Sequence, residues 1–129
     1  MTPRTFLERP WHAQYPPGVP ADIDPARYTS LIAMYDETCA TYPDRPAFGN
    51  FGVFLDYARL QARTRSFAAW LQHTLHVAPG DRVALMLPNV LQYPVAMLGA
   101  LRAGAVVVNV NPLYTPRELK HQLNDAGAR

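Results

Sequence analysis

Few side chains in this sequence are spaced for chemistry. His73 and His76 stand three apart, a spacing at which two imidazoles at the end of a helix could share a metal. No third ligand lies near them in the pattern, and the negative end of the helix macrodipole accounts for histidines in a last turn. Arg59, Arg63 and Arg65 offer guanidinium groups to a phosphate, but they are spread around one helix and read as a solvated face. Cys39 is the single cysteine, so neither an internal disulfide nor a cysteine-based metal cluster can form. It falls on the apolar side of its helix and reads as a small core residue. His12 and His121 have no partner in the pattern. Neither G-x-x-x-x-G-K nor G-x-G-x-x-G occurs, the seven glycines are scattered, and Lys120, the one lysine, falls mid-helix. The residues themselves therefore assign no catalytic group and no metal ligand.

The elements that must position any site follow from patterning. The chain has 129 residues, 49% of them apolar, enough for one hydrophobic core. A net charge of +2 demands neither nucleic acid nor an anionic surface as partner. Eleven Arg against one Lys, with many Ala, suggest a GC-rich bacterial genome. The absence of a disulfide fits a reducing cytoplasm. The start from Met1 to Pro10 lacks the apolar stretch of a secretory signal, and Val95–Val110 is broken by Arg102 and Gly104, short of a membrane span.

Residues 1–29 carry six prolines, a density that leaves no regular element. They read either as an extended arm pinned by Trp11, Tyr15 and Tyr28 or as a partly disordered tail. Leu31, Ile32, Tyr35 and Cys39 predict a helix from Ser30 to about Thr41, stopped by Pro43 and Pro46. Ala47–Leu55 predicts a short hairpin around Asn50 and Gly52, with Phe48 and Phe54 on its arms. Asp56 caps a helix to about Leu75 whose apolar face is Tyr57, Leu60, Thr64, Phe67, Leu71 and Leu75. Arg82–Leu87 predicts a strand buried on both faces. Asn89 caps the next helix, which ends near Arg102 with Gly104 left-handed after it. Pro94 marks either a first turn starting near Tyr93 or a kink. Ala105–Asn109 is the second strand of a parallel βαβ unit. Thr115, Pro116 and Glu118 form a capping box for a last helix whose buried face is Leu119, Leu123 and Ala126, ending at Gly127.

The stretches "GDRVALMLPN" and "LGALRAGAVVVNVNPLYTPREL", with "YTSLIAMYDETCATYPDRPAF" and "LDYARLQARTRSFAAWLQ" before them, resemble the adenylate-forming superfamily. Within it they are most similar to the N-terminal region of bacterial long-chain fatty-acid–CoA ligases, and the resemblance covers nearly all of residues 10–129. Asp56 stands where many members carry Thr, and both can cap.

The resemblance implies an α/β fold, the N-terminal part of the ligase large domain, with a hairpin, amphipathic helices, a parallel βαβ unit and an incomplete sheet. Residues 1–29 are then a proline-rich arm and residues 30–129 a truncated α/β subdomain. It implies ATP, Mg²⁺ and CoA for the parent enzyme, with a fatty acid as acyl substrate, and no ligand bound to this segment alone. The family's phosphate-binding loop, adenine-binding aromatic, magnesium-binding acid and adenylation lysine match nothing here, so the segment is expected to be inactive by itself. One loop, Asn111, Pro112, Leu113 and Tyr114, matches the turn that in related ligases lies toward the CoA tunnel; otherwise Pro112 and Tyr114 only shape the turn. The chain stops at Arg129 as a further strand falls due, which leaves open edges expected to self-associate. A free-standing scaffold or interaction module, or a ligase acting on another carboxylic acid, are the competing readings. The implied location is cytoplasmic, with room for peripheral contact at the inner membrane.

Overall fold

A computed structural model describes residues 9–128 of the chain. A 3₁₀ helix at Pro10–Gln14 precedes α1 (Leu31–Thr41) and the strands β1 (Pro46–Asn50) and β2 (Val53–Asp56). Then come α2 (Tyr57–His73), β3 (Arg82–Leu85), α3 (Gln92–Arg102), β4 (Val106–Asn109) and α4 (Pro116–Ala126). β1 and β2 form an antiparallel hairpin. β3 and β4 form a separate parallel pair, Arg82 opposite Val106 through Leu85 opposite Asn109, with α3 as the crossover. Among the described residues no helix is long and apolar enough to cross a membrane.

Helix starts are written locally. The Ser30 hydroxyl accepts from the Ala33 amide at 3.0 Å, and the Asp56 carboxylate accepts from the Arg59 amide at 2.6 Å. Each satisfies an amide that the first turn leaves without an intrahelical partner. Gly104 follows α3 with φ +86, and Gly127 caps α4 with φ +59.

The centre of the structure is the crossing of α2 and α3. A Cβ on Gly99 would lie 2.7 Å from the Phe67 ring and 3.1 Å from the Thr64 carbonyl oxygen. The two backbones therefore meet where only glycine fits. On one side Tyr35, Cys39, Leu55, Leu60 and Leu98 are buried together. On the other, Ala68, Leu71, Ala100, Ala103 and Ala105 form a small-residue core beneath the parallel strands.

A polar junction joins α1 to this pair. Asp36 forms a salt bridge with Arg102 of α3 and accepts from the Gln61 amide of α2 at 3.0 Å. Beside it the Tyr35 hydroxyl and fully buried Thr64 share a hydrogen bond at 3.3 Å. The bond from Arg102 holds the Asp36 carboxyl below its ordinary 3.8, against the opposing effect of burial, and Gln61 adds to the lowering.

Several expectations are corrected. A 3₁₀ helix does form in the proline-rich segment, because Pro10 sits at a first helical position where no amide is required. Trp11 and Tyr15 do not pin that segment: both are exposed, and the anchor is the Tyr28 hydroxyl donating to Glu37 at 3.3 Å. The expectation for Met1–Glu8 lies outside the described residues. Leu31 is exposed on α1, and the apolar face of α2 stops before Leu75. There His76 turns left-handed (φ +54) and sends Val77 into the alanine core instead. β3 is not buried on both faces: Arg82 is exposed, Val83 and Ala84 are only half-buried, and Met86 beyond its end stays exposed. Asn89 does not cap α3; its carbonyl accepts from the Asn50 side-chain amide at 2.6 Å, and α3 starts at Gln92 with Pro94 in its first turn. The inner face of α4 is only half-buried.

Two outcomes test this packing. Gly99→Ala is expected to gain about 1 kcal/mol in helix propensity but to lose more to overpacking, for a net loss of about 1–2 kcal/mol in urea unfolding. Asp36→Asn removes a charge whose folded pKa is depressed. Its stabilising effect is therefore present above the unfolded pKa and is lost as pH falls through the folded one. The variant is expected to be about 1 kcal/mol less stable than the parent at neutral pH, with the gap narrowing below about pH 4.

Candidate substrate-side loop at the strand ends

The parallel strands end at Leu85 and Asn109, the edge where open α/β sheets bind ligands. The chain leaves β4 through Val110, whose amide donates to the Leu85 carbonyl at 3.0 Å, and enters the loop Asn111–Tyr114. The Asn111 side-chain oxygen accepts from the Leu113 amide at 3.0 Å, and the Asn111 carbonyl accepts from the Tyr114 amide at 3.1 Å. Asn111 thus builds an Asx turn inside a backbone turn. All four loop residues are exposed, Leu113 most of all at 87%.

Both ends of the loop are fixed. Asn109 is the upstream anchor: its side-chain oxygen accepts from the Tyr93 hydroxyl at 2.7 Å and its carbonyl accepts from the Gln122 amide at 2.8 Å. These two bonds connect α3, β4 and α4. Sequence reasoning missed all three residues, and the one signal that could have found Asn109 is a polar residue closing an apolar strand. Downstream, the Thr115 amide donates to Glu118 at 2.8 Å and the Thr115 hydroxyl at 2.7 Å, while the Glu118 amide donates back to that hydroxyl at 3.4 Å. The Thr115 side-chain bond, then the backbone bond, hold the Glu118 carboxyl below its ordinary value. Tyr114, Glu118, His121, Gln122 and Asp125 line a shallow cavity of about 270 Å³ beside the loop.

Elsewhere among the described residues the groups singled out in the sequence lie apart from one another or in the core. Burial pushes the Tyr35 phenol up to about 12 and also raises the Cys39 thiol, which makes both poor nucleophiles and assigns them to the core. Arg59, Arg63 and Arg65 are exposed. Among the described residues no group of three or more His, Cys, Asp or Glu can hold a metal ion, so His73 and His76 form no such centre. A cavity of about 820 Å³ lies away from the loop between α2, β3 and α3. Its lining is mainly apolar, including Phe67, Leu85, Met86 and Val95.

Residues 35–129 match the family described as AMP-binding enzyme. The chain belongs to that family. Among AMP-binding enzymes and their kin, it is 57% identical over 122 residues to a long-chain-fatty-acid–CoA ligase of Yersinia pestis, covering 95% of this chain and 22% of that protein. A benzoate CoA ligase from Burkholderia xenovorans LB400 has a similar structure, with TM-score 0.73 and 33% identity over 79% of this chain and 21% of the other. The N-terminal subdomain of Klebsiella oxytoca NpsA, in complex with 3-hydroxyanthranilyl-AMSN, superposes with TM-score 0.74 and 30% identity over 78% and 25%. The chain thus spans about a fifth of the length of the curated relatives it matches. The expected α/β fold of an adenylate-forming N-terminal subdomain is what these neighbours have. The segment of the AMP-binding enzyme seen here does not itself fit ATP or Mg²⁺. It has no glycine-rich phosphate cradle, and among the described residues no carboxylate cluster that could hold the ion.

Because Thr115 supplies the largest part of the Glu118 shift, Thr115→Ala is expected to raise the Glu118 pKa toward its ordinary 4.5. An NMR titration of the side-chain carboxyl resonance, showing no upward movement, would count against the reciprocal cap.

Proposed function

We propose that this chain is the scaffold segment of a long-chain fatty-acid–CoA ligase and is not catalytic alone. The observation that carries this reading is the 57% identity to the Yersinia pestis ligase, well above the 33% to the benzoate enzyme. In the parent reaction the fatty carboxylate attacks the α-phosphorus of ATP with loss of pyrophosphate, and the CoA thiol then displaces AMP from the acyl-adenylate. Nucleotide and Mg²⁺ are held by parts of the ligase outside this chain. Its own residues contribute the floor on which those parts pack and one loop facing CoA. There Asn111 offers its remaining amide hydrogens, Pro112 and Leu113 an apolar ridge, and Tyr114 a ring for the pantetheine arm. The protein works in the cytoplasm and meets its substrate at a membrane surface, because long-chain acids reside in bilayers. In isolation the uncovered flanks of β3 and β4 are sites where a second copy packs.

The test is a chimera in which this chain replaces the matching 122-residue segment of the Yersinia pestis ligase. Palmitoyl-CoA formation dependent on ATP and CoA, within about tenfold of the parent kcat/KM, is the expected result. A folded chimera with no activity toward palmitate, or one that prefers benzoate, would overturn the assignment.

A further inference from the structure

Two bonds at the end of β4 hold that point more firmly than the fold requires. Asn109 closes the apolar run Val106-Val107-Val108, where a β-branched residue would suit the strand better. Asn109 is exposed, so water could satisfy its polar groups without help from the protein. Its side-chain oxygen nevertheless accepts from the Tyr93 hydroxyl at 2.7 Å, and its carbonyl accepts from the Gln122 amide at 2.8 Å. Gln122 makes its bond at a cost. A carbonyl acceptor admits only one orientation of the side-chain amide, with the NH₂ group toward Asn109. The other atom, Oε1, is then buried without a partner among the described residues. An apolar side chain of similar length would leave no such orphan.

The two bonds fix α3, β4 and α4 to one another at a single residue, two positions before Asn111. Asn109 lies opposite Leu85, and the next amide, that of Val110, donates to the Leu85 carbonyl at 3.0 Å. The fixed point is therefore the C-terminal edge of the parallel pair, where open α/β sheets take ligands. The Thr115–Glu118 capping box fixes the other end of the loop. Between these ends Asn111, Pro112, Leu113 and Tyr114 are all exposed and add nothing to the core. A loop held at both ends without burial has its ordering cost met before a ligand arrives, which is preorganisation for binding.

We propose that Tyr93, Asn109 and Gln122 are positioning residues that hold the Asn111–Tyr114 loop in place for CoA, acting on the thiol half of the reaction and not on adenylation. This rests on the ligase reading above and on its CoA-facing loop. The three residues act through the loop and do not themselves touch substrate. Because nucleotide and Mg²⁺ are held outside this chain, loosening the loop root reaches only the thiol step.

The experiment places Gln122→Met and Tyr93→Phe in the chimeric ligase described above. It reads CoA affinity by calorimetry with AMP present, KM for CoA, and pyrophosphate release from palmitate and ATP without CoA. Both variants are expected to weaken CoA binding and raise its KM about three- to tenfold, with pyrophosphate release unchanged. Gln122→Met also removes the orphaned oxygen, so its thermal midpoint is expected to hold or rise while CoA affinity falls. A structural role alone would not produce that split. Combining Tyr93→Phe with Asn109→Ala is expected to match either single variant, since each removes the same bond. Unchanged CoA affinity in both Gln122→Met and Tyr93→Phe, or an equal loss in pyrophosphate release, would overturn this proposal alone. An unsubstituted chimera that releases no pyrophosphate with palmitate would overturn the ligase reading, and this proposal with it.

Discussion

The close approach of α2 to the α3 backbone at Gly99 is the constraint on which the rest of the structure depends. With no Cβ there, the Thr64 carbonyl and the Phe67 ring come against the α3 backbone. That approach brings Ala68 and Leu71 of α2 onto Ala100 and Ala103, and through them onto the parallel strands. It also sets Leu60 and Leu98 together, closing the second core over α1 and the hairpin. The hairpin joins through the start of α2, and β3 and β4 join through the ends of α3. Each half of the fold is thus attached to one member of a single helix pair.

The loop after β4 depends on the same pair at one remove. Tyr93 lies in the first turn of α3, so the position of α3 sets where its hydroxyl meets Asn109. Gln122 reaches back from α4 to the same residue. A loop whose own residues are exposed is in this way tied at its root to the core. Exposure with a fixed root is the arrangement in which a connecting segment can present side chains to a substrate.

The sequence made legible whatever is decided within a few residues. Asp56 and Thr115 read as caps in the sequence and are caps in the structure, because a side-chain acceptor and an amide three residues on need no distant partner; Ser30, read only as the start of its helix, caps it in the same way. The order of hairpin, helix and parallel βαβ unit was readable for the same reason. What failed was decided at long range. Asp36 and Arg102 lie 66 residues apart, and no periodicity links them. Asn89 had the right chemistry for a cap, but its carbonyl is engaged by Asn50 across 39 residues and α3 begins later. β3 looked buried on both faces because a continuous apolar run says nothing about which neighbours cover it. The loop Asn111–Tyr114 was found by resemblance to relatives, while its anchors Tyr93, Asn109 and Gln122 became visible only when α3, β4 and α4 were placed together.

Cys39 lies at the heart of the three-helix junction, 2% exposed, with its thiol made less acidic by burial. It is the chain's only sulfhydryl. A thiol so placed is shielded from alkylating reagents until α1 lifts from α2 and α3, and on release it reacts with the rate of an ordinary cysteine. The protein therefore carries a built-in clock for the opening of its own junction: slow thiol trapping in the native state, compared with trapping in denaturant, reads the free energy of that local opening without any added label.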